Sequence, residues 1–239
     1  MKLLRQILAF LLCYVTTSLF IYGQVKDTSN YKIFRYKIID ETKFIKLSPN
    51  DPEHYFKRAR YYYEIGDMTS AIQDLTKVIE IKPNDFQAYF NRGNIYYELK
   101  DLKQSLSDFT KAAEINPKYS KAICNKANVT QDMEKYDESI VEYNKAISLD
   151  TNYALAYNGR GVSFVKLSKY DQAKKDFDKA IQNKSNYAKA YFNRGCMFAI
   201  LNKYTDAISD FDKALRIDPN NAEYKDKLET AKKIINETK

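Results

Sequence analysis

From about residue 52 onward, apolar side chains recur at i, i+3 and i+4 intervals, in stretches broken by short polar turns such as EIGD at Glu64 and LNKY at Leu201. That spacing places them on one face of an α-helix, and stretches paired across a turn predict helical hairpins. The hairpins repeat. AYFNRGNIYYEL from Ala88 returns as AYNGRGVSFVKL from Ala156 and AYFNRGCMFAIL from Ala190, at multiples of a 34-residue period. Extending the period gives five frames: 52–85, 86–119, 120–153, 154–187 and 188–221. The eighth place of each is small (Ala59, Gly93, Ala127, Gly161, Gly195), as is the twentieth (Ala71, Ser105, Ser139, Ala173, Ala207). The twenty-fourth is large: Leu75, Phe109, Tyr143, Phe177 and Phe211. Small residues where helices cross let backbones approach, and large ones fill the space beside them. Stacked hairpins bury a quasi-linear core, so no single hydrophobic centre is required.

This alternation of small and large positions resembles the tetratricopeptide repeat. The resemblance implies an all-α fold, a right-handed superhelical solenoid of helical hairpins with capping helices. Composition agrees: 6 Gly, 5 Pro and no Trp, but 21 Tyr and 13 Phe, suit helices packed by aromatic side chains.

The ends read differently. MKLLRQILAFLLCYVTTSLFIYG has two early positive charges and an apolar run from Ile7 to Tyr22, short for a spanning helix and suited to an export signal. Residues 1–23 are expected to be such a signal, giving a periplasmic or secreted protein; the alternative is a retained N-terminal membrane anchor. Residues 24–51 form a lead-in. KFIKLSPND there mimics VIEIKPND of the first frame, with Pro49 in phase with Pro83. Residues about 31–47 are therefore expected to be the second helix of a degenerate repeat, capping the N-terminal side. Residues 222–239 read as a charged amphipathic C-terminal cap, since terminal repeats need a polar outer face.

The formal charge of +8 includes Lys2 and Arg5 of the signal, and residues 24–50 carry six basic and three acidic side chains. The remainder is spread over the repeats rather than gathered into a dense stripe, which argues against nucleic acid. Two cysteines follow the signal, Cys124 and Cys196, more than two periods apart and too far for a disulfide between stacked repeats. The single histidine, His54, is expected in a solvated turn. There is no metal cluster, phosphate loop or nucleophile–base spacing, so no enzyme activity and no cofactor are expected.

Every frame is basic at its seventh place (Arg58, Arg92, Lys126, Arg160, Arg194) and acidic at its twenty-third (Asp74, Asp108, Glu142, Asp176, Asp210). The hairpin turn sets the two opposite each other, predicting an ion pair within each repeat. A lysine at the twenty-sixth place (Lys77, Lys111, Lys145, Lys179, Lys213) stands three residues beyond the acid, where it is expected to share that charge. In the family resembled, the sixth and ninth places of the first helix face the concave groove. Here they hold a broken row of Asn, which donates and accepts and so suits the amide backbone of an extended peptide. The candidate peptide-binding residues are Arg60, Tyr63, Asn91, Asn94, Tyr97, Asn125, Asn128, Phe192 and Asn193. Phe192 and its neighbours Val162, Val165, Cys196, Ala199 and Ile200 are expected to make the far end of the groove apolar. Gly159 breaks the Asn row, with Asn158 one residue early. The clamp by which some members of that family hold chaperone carboxylates does not fit: its places fall on Phe56, Arg60, Asn91, Lys121 and Asn125, three of the wrong type. The expected role is a scaffold that binds a protein or peptide, with a membrane involved only if the N-terminal segment is retained. The alternatives are a structural spacer and an accessory subunit of an envelope complex.

Overall fold

The computed structural model describes residues 28–237, which form twelve α-helices and, among the described residues, no strand. The expected export signal lies outside them. The helices fall into two compact units. The first contains α1 (Thr28–Leu47), α2 (Pro52–Glu64) and α3 (Met68–Ile81). The second contains α4 (Phe86–Glu98), α5 (Leu102–Ile115), α6 (Ser120–Asp132), α7 (Tyr136–Leu149), α8 (Ala154–Lys166), α9 (Tyr170–Asn183), α10 (Ala188–Ile200), α11 (Tyr204–Ile217) and α12 (Ala222–Glu237). The first helices of the repeats, α2, α4, α6, α8 and α10, begin at the first residue of each of the five frames.

Local chemistry explains the boundaries. Asp51, Asp85 and Asp101 precede α2, α4 and α5, and their carboxylates accept from first-turn amides that have no partner within the helix. Each hairpin turns through one left-handed residue at the fifteenth place: Gly66, Lys100, Glu134, Ser168 and Asn202, at φ between 57° and 83°. The amide after it donates back five residues, as Asp101 does to the Tyr96 carbonyl at 2.9 Å. The first helix thus ends in a closed carbonyl cap, and the second starts at once. Only the first repeat uses glycine for this conformation.

Small and large places meet as the pattern predicts. Phe177 is fully buried against Gly161, where a Cβ would lie 2.7 Å from its ring. In the second unit one cluster of buried apolar residues joins α6, α7 and α8 around Tyr143, and another runs from α9 to α12, where Tyr224, Leu228 and Ala231 are buried and Lys225, Asp226, Glu229 and Lys232 face water.

The N-terminal side departs from expectation. Helix α1 packs on α2, with Phe34 stacked on Tyr61 at 5.9 Å and Arg58 donating to Thr42 at 2.9 Å. Its outer face, though, exposes Ile33, Tyr36, Ile39, Phe44 and Leu47. It is not the polar-backed cap that the repeat logic anticipates. Nor is His54 a solvated turn residue: it is half-buried, bonded through Nδ1 to Glu41 Oε2 at 2.7 Å and stacked on Phe44 at 4.9 Å. That pair joins α1 to α2.

Candidate functional site

The basic and acidic side chains of the seventh and twenty-third places pair within every repeat, as Arg and Asp in four of them, on the side of each hairpin away from the Asn row. Arg160 donates from Nε and Nη2 to the two Asp176 oxygens at 2.7 Å each, and Arg58, Arg92 and Arg194 hold Asp74, Asp108 and Asp210 by the same two-pronged contact. The guanidinium lies between aromatic rings one helical turn either side of it, Tyr157 and Phe164 for Arg160, at 5.5 and 5.9 Å. The remaining prong reaches back to the preceding repeat: Arg160 Nη1 donates to Asn144 at 2.6 Å, and Arg194 Nη1 to Asp178. The hydrogen bonds to Asp108 raise Arg92 further above its ordinary value, while burial outweighs Arg160 and pushes the Asp176 carboxyl up. The third repeat departs as a set. Lys126 meets Glu142 by one bond at 3.1 Å, and the flanking aromatics are replaced by Ile123 and Thr130. A planar guanidinium matches both a carboxylate fork and ring faces, whereas an ammonium is a point charge, so ring and fork are lost together.

The lysines at the twenty-sixth place mostly do not share these acids. Lys145 donates to Glu142, but Lys77 and Lys111 turn forward to Glu80 and Glu114, and Lys179 to Gln182. The acid is already filled by the guanidinium fork, so only the weaker Lys126–Glu142 pair has room.

On the other side, the second, sixth, ninth and thirteenth places of the first helices line one stripe, because i, i+4, i+7 and i+11 share a helix face. In the second unit its polar end holds Gln87, Asn91, Asn94 and Glu98 on α4, then Lys121, Asn125, Asn128 and Asp132 on α6. Its apolar end holds Leu155, Gly159, Val162 and Lys166 on α8, then Lys189, Asn193, Cys196 and Ile200 on α10. Leu155 and Ile200 are 46% and 55% exposed.

Several candidates serve their neighbours first. Asn125 Nδ2 donates to Asn94 Oδ1 at 2.8 Å, and Asn193 Nδ2 to Asn158 Oδ1 at 2.9 Å, each joining consecutive repeats. Asn128 Oδ1 accepts from Tyr143 at 2.6 Å, and Tyr97 donates to Asp132 at 2.5 Å. Burial and that bond raise the Tyr97 phenol and hold its proton. Phe192 is not a groove anchor: it is 8% exposed, tilted against Tyr224 at 4.6 Å and Phe211 at 5.6 Å, and belongs to the core under α12. Its equivalent Phe90 likewise packs on Tyr119 and Phe109. Arg60 and Tyr63 stand on α2 of the first unit, Arg60 exposed and Tyr63 half-buried.

Gly159 breaks the Asn row because Tyr143 occupies the space. Tyr143 carries a hydroxyl where other repeats have Phe or Leu, and a Cβ on Gly159 would lie 2.4 Å from that oxygen. Around it Gln131 donates to the Gly159 carbonyl at 2.8 Å and to Ser163 at 2.6 Å, and Ser163 bonds Ser139 at 2.7 Å. Among the described residues every buried side-chain nitrogen and oxygen has a partner, and no cluster of His, Cys, Asp or Glu is arranged to hold a metal ion. Cys124 and Cys196 are free thiols.

Models of the tetratricopeptide repeat match residues 86–119, 154–187 and 188–221 in one form and 59–100 and 131–168 in another. Between them they cover well over half of the sequence. The chain is a member of the tetratricopeptide repeat family. Among solved structures, this repeat protein is similar to YrrB, described as a repeat protein with an unusual peptide-binding site, at 22% identity over 81% of this chain and 97% of that one, with a TM-score of 0.63. It is also similar to a tetratricopeptide repeat protein of Parabacteroides merdae, at 24% identity over 84% and 78% of the two chains, with a TM-score of 0.63. The anaphase-promoting-complex assembly Cut9–Hcn1 gives a TM-score of 0.71 at 16% identity, over 85% of this chain and 40% of that one. At such identities the likeness is one of fold. No curated protein matches the sequence.

Proposed function

We propose that the stripe on α4, α6, α8 and α10 binds an extended segment of a protein partner, and that this chain is a binding scaffold rather than a catalyst. The observation that carries the reading is the pairing of Leu155 and Ile200, exposed, with Lys121, Lys166 and Lys189 on the same face. Helices α8 and α10 contain no acidic residue, and their arginines are turned away into the Asp176 and Asp210 pairs. A segment with aliphatic and acidic side chains complements that end. At the other end the amides of Asn91, Asn94 and Asn125 can both donate to and accept from a peptide backbone. The Asn94–Asn125 bond supports the reading, because it fixes both amides before any ligand arrives. The peptide-binding site of YrrB, on the same fold, gives a precedent for such a use. Export to the periplasm or beyond, by cleavage of residues 1–23, is part of the same proposal.

A photo-crosslinking side chain introduced at Gln87 or Leu155 should capture a partner in cells of the source organism. The same group at Lys111 or Lys145, on the second helices, should not. Capture only from the second helices would refute the proposal.

A further inference from the structure

Helix α1 has two faces of different chemistry. One is turned to α2 through Phe34, Ile38, Glu41 and Thr42, all half-buried. The other exposes Ile33, Tyr36, Ile39 and Leu47, with Tyr36 60% and Leu47 80% exposed, and at its edge the outer side of Phe44, whose ring also stacks on His54 of α2. Isolated exposed apolar residues need no explanation, but several on one side of a helix do, here Ile33, Tyr36 and Ile39 on successive turns and Leu47 beyond the Asp40–Lys43 pair that lies on the same side. Its flank is basic. Lys32, Arg35, Lys43 and Lys46 are exposed there, and the one acid beside them, Asp40, is bonded to Lys43 at 3.0 Å.

We infer that this face of α1 docks on an anionic lipid surface. A helix with an apolar face that includes aromatics and a rim of lysines lies in the plane of a membrane interface, its apolar side at the headgroup boundary and its ammonium groups among the phosphates. The rim discriminates against a second copy of the chain. Two α1 helices laid face to face would set Lys32 and Arg35 against another set of the same charges, while an anionic bilayer supplies the opposite sign. Among the described residues no helix is long and apolar enough to cross a membrane, consistent with surface docking by α1 itself.

The chain contains no Trp, so a Tyr36→Trp substitution in the full chain gives a single reporter on the face, and Val141→Trp on α7 a reporter away from it. Each is mixed with vesicles of phosphatidylcholine, with and without phosphatidylglycerol, carrying brominated acyl chains as quenchers. Position 36 should shift to the blue and be quenched when phosphatidylglycerol is present, and position 141 should not. Added salt should weaken the effect. Lys32→Ala and Lys46→Ala should each lower the phosphatidylglycerol-dependent quenching about fivefold, the equivalent of about 1 kcal/mol per basic side chain at such a surface. Quenching at position 36 that is the same without phosphatidylglycerol would overturn the inference, since the apolar run Ile7–Tyr22 alone accounts for it. So would no quenching at all, or a lipid-free blue shift that grows with protein concentration, the mark of a second copy on the face.

Discussion

Arg160→Ala leaves Asp176, 5% exposed, without its two-pronged partner. Removing one member of a buried ion pair typically costs about 3–5 kcal/mol, because the other charge stays desolvated. Here protonation of Asp176 sets a ceiling. Moving an ordinary Asp of pKa 3.8 to its neutral form at pH 7 costs about 1.4 kcal/mol per unit, hence about 4 kcal/mol at most. At pH 5 the same ceiling is about 1.6 kcal/mol. The sign follows from linkage. Burial already raises Asp176 in the folded chain, and loss of Arg160 removes the hydrogen bond and charge that oppose burial. The folded variant therefore binds this proton more tightly than the unfolded chain does, and its stability rises as pH falls through the raised pKa. Urea unfolding followed by far-ultraviolet circular dichroism should show a loss of about 3 kcal/mol at pH 7, shrinking to about 1–1.5 kcal/mol at pH 5. Arg160→Ala with Asp176→Ala should be strongly non-additive. Lys126→Ala, with one bond and a more exposed pair, should cost about 1 kcal/mol. A pH-independent loss, an additive cycle, or equal costs at Arg160 and Lys126 would refute the reasoning.

Gly159→Ala should destabilise the second unit by about 1–3 kcal/mol through overpacking against Tyr143, and Tyr143→Leu in the same chain should recover part of that loss, read as thermal melting of the single and double variants. Glu134→Gly should raise the melting temperature, since it relieves an L-residue at φ 61° worth about 1 kcal/mol against a smaller glycine entropy cost; a lower melting temperature would show that the turn is unstrained. Burial pushes the Cys124 thiol up to about 12 and Cys196 up to about 11, so iodoacetamide at pH 8 should label neither in the folded chain at the rate of the urea-unfolded one, with Cys196 the faster of the two as pH rises.

The fold was legible because repetition amplifies weak signals. One basic and one acidic residue sixteen apart mean little, but the same charge pair in five frames implies a contact. The exceptions were harder to read than the rule. Tyr143, Gly159 and Ser163 look like independent deviations in sequence, yet they are one adjustment: a longer side chain, the space cleared for it, and polar partners for its hydroxyl's surroundings. Periodicity assigns a residue to a helix face but not to the seam between helices, which is why Phe192 read as groove and packs as core. The same limit hid the inter-repeat bonds of Asn125 and Asn193, whose partners sit one repeat away. The α1 face was missed for another reason: a cap inferred from phase says where a helix stands, while its outer chemistry must be read separately.

The proposed scaffold is tested most directly by affinity for the segment captured at Leu155. Fluorescence anisotropy with that labelled segment should show a dissociation constant about fivefold weaker for Leu155→Ala and again for Ile200→Ala, as expected for losing about 1 kcal/mol of newly buried side chain at each. Asn91→Ala, whose side chain makes no hydrogen bond among the described residues, should weaken binding about two- to twelvefold with unchanged melting. Wild-type affinity in all three variants, each folded and melting normally, would contradict binding on this face.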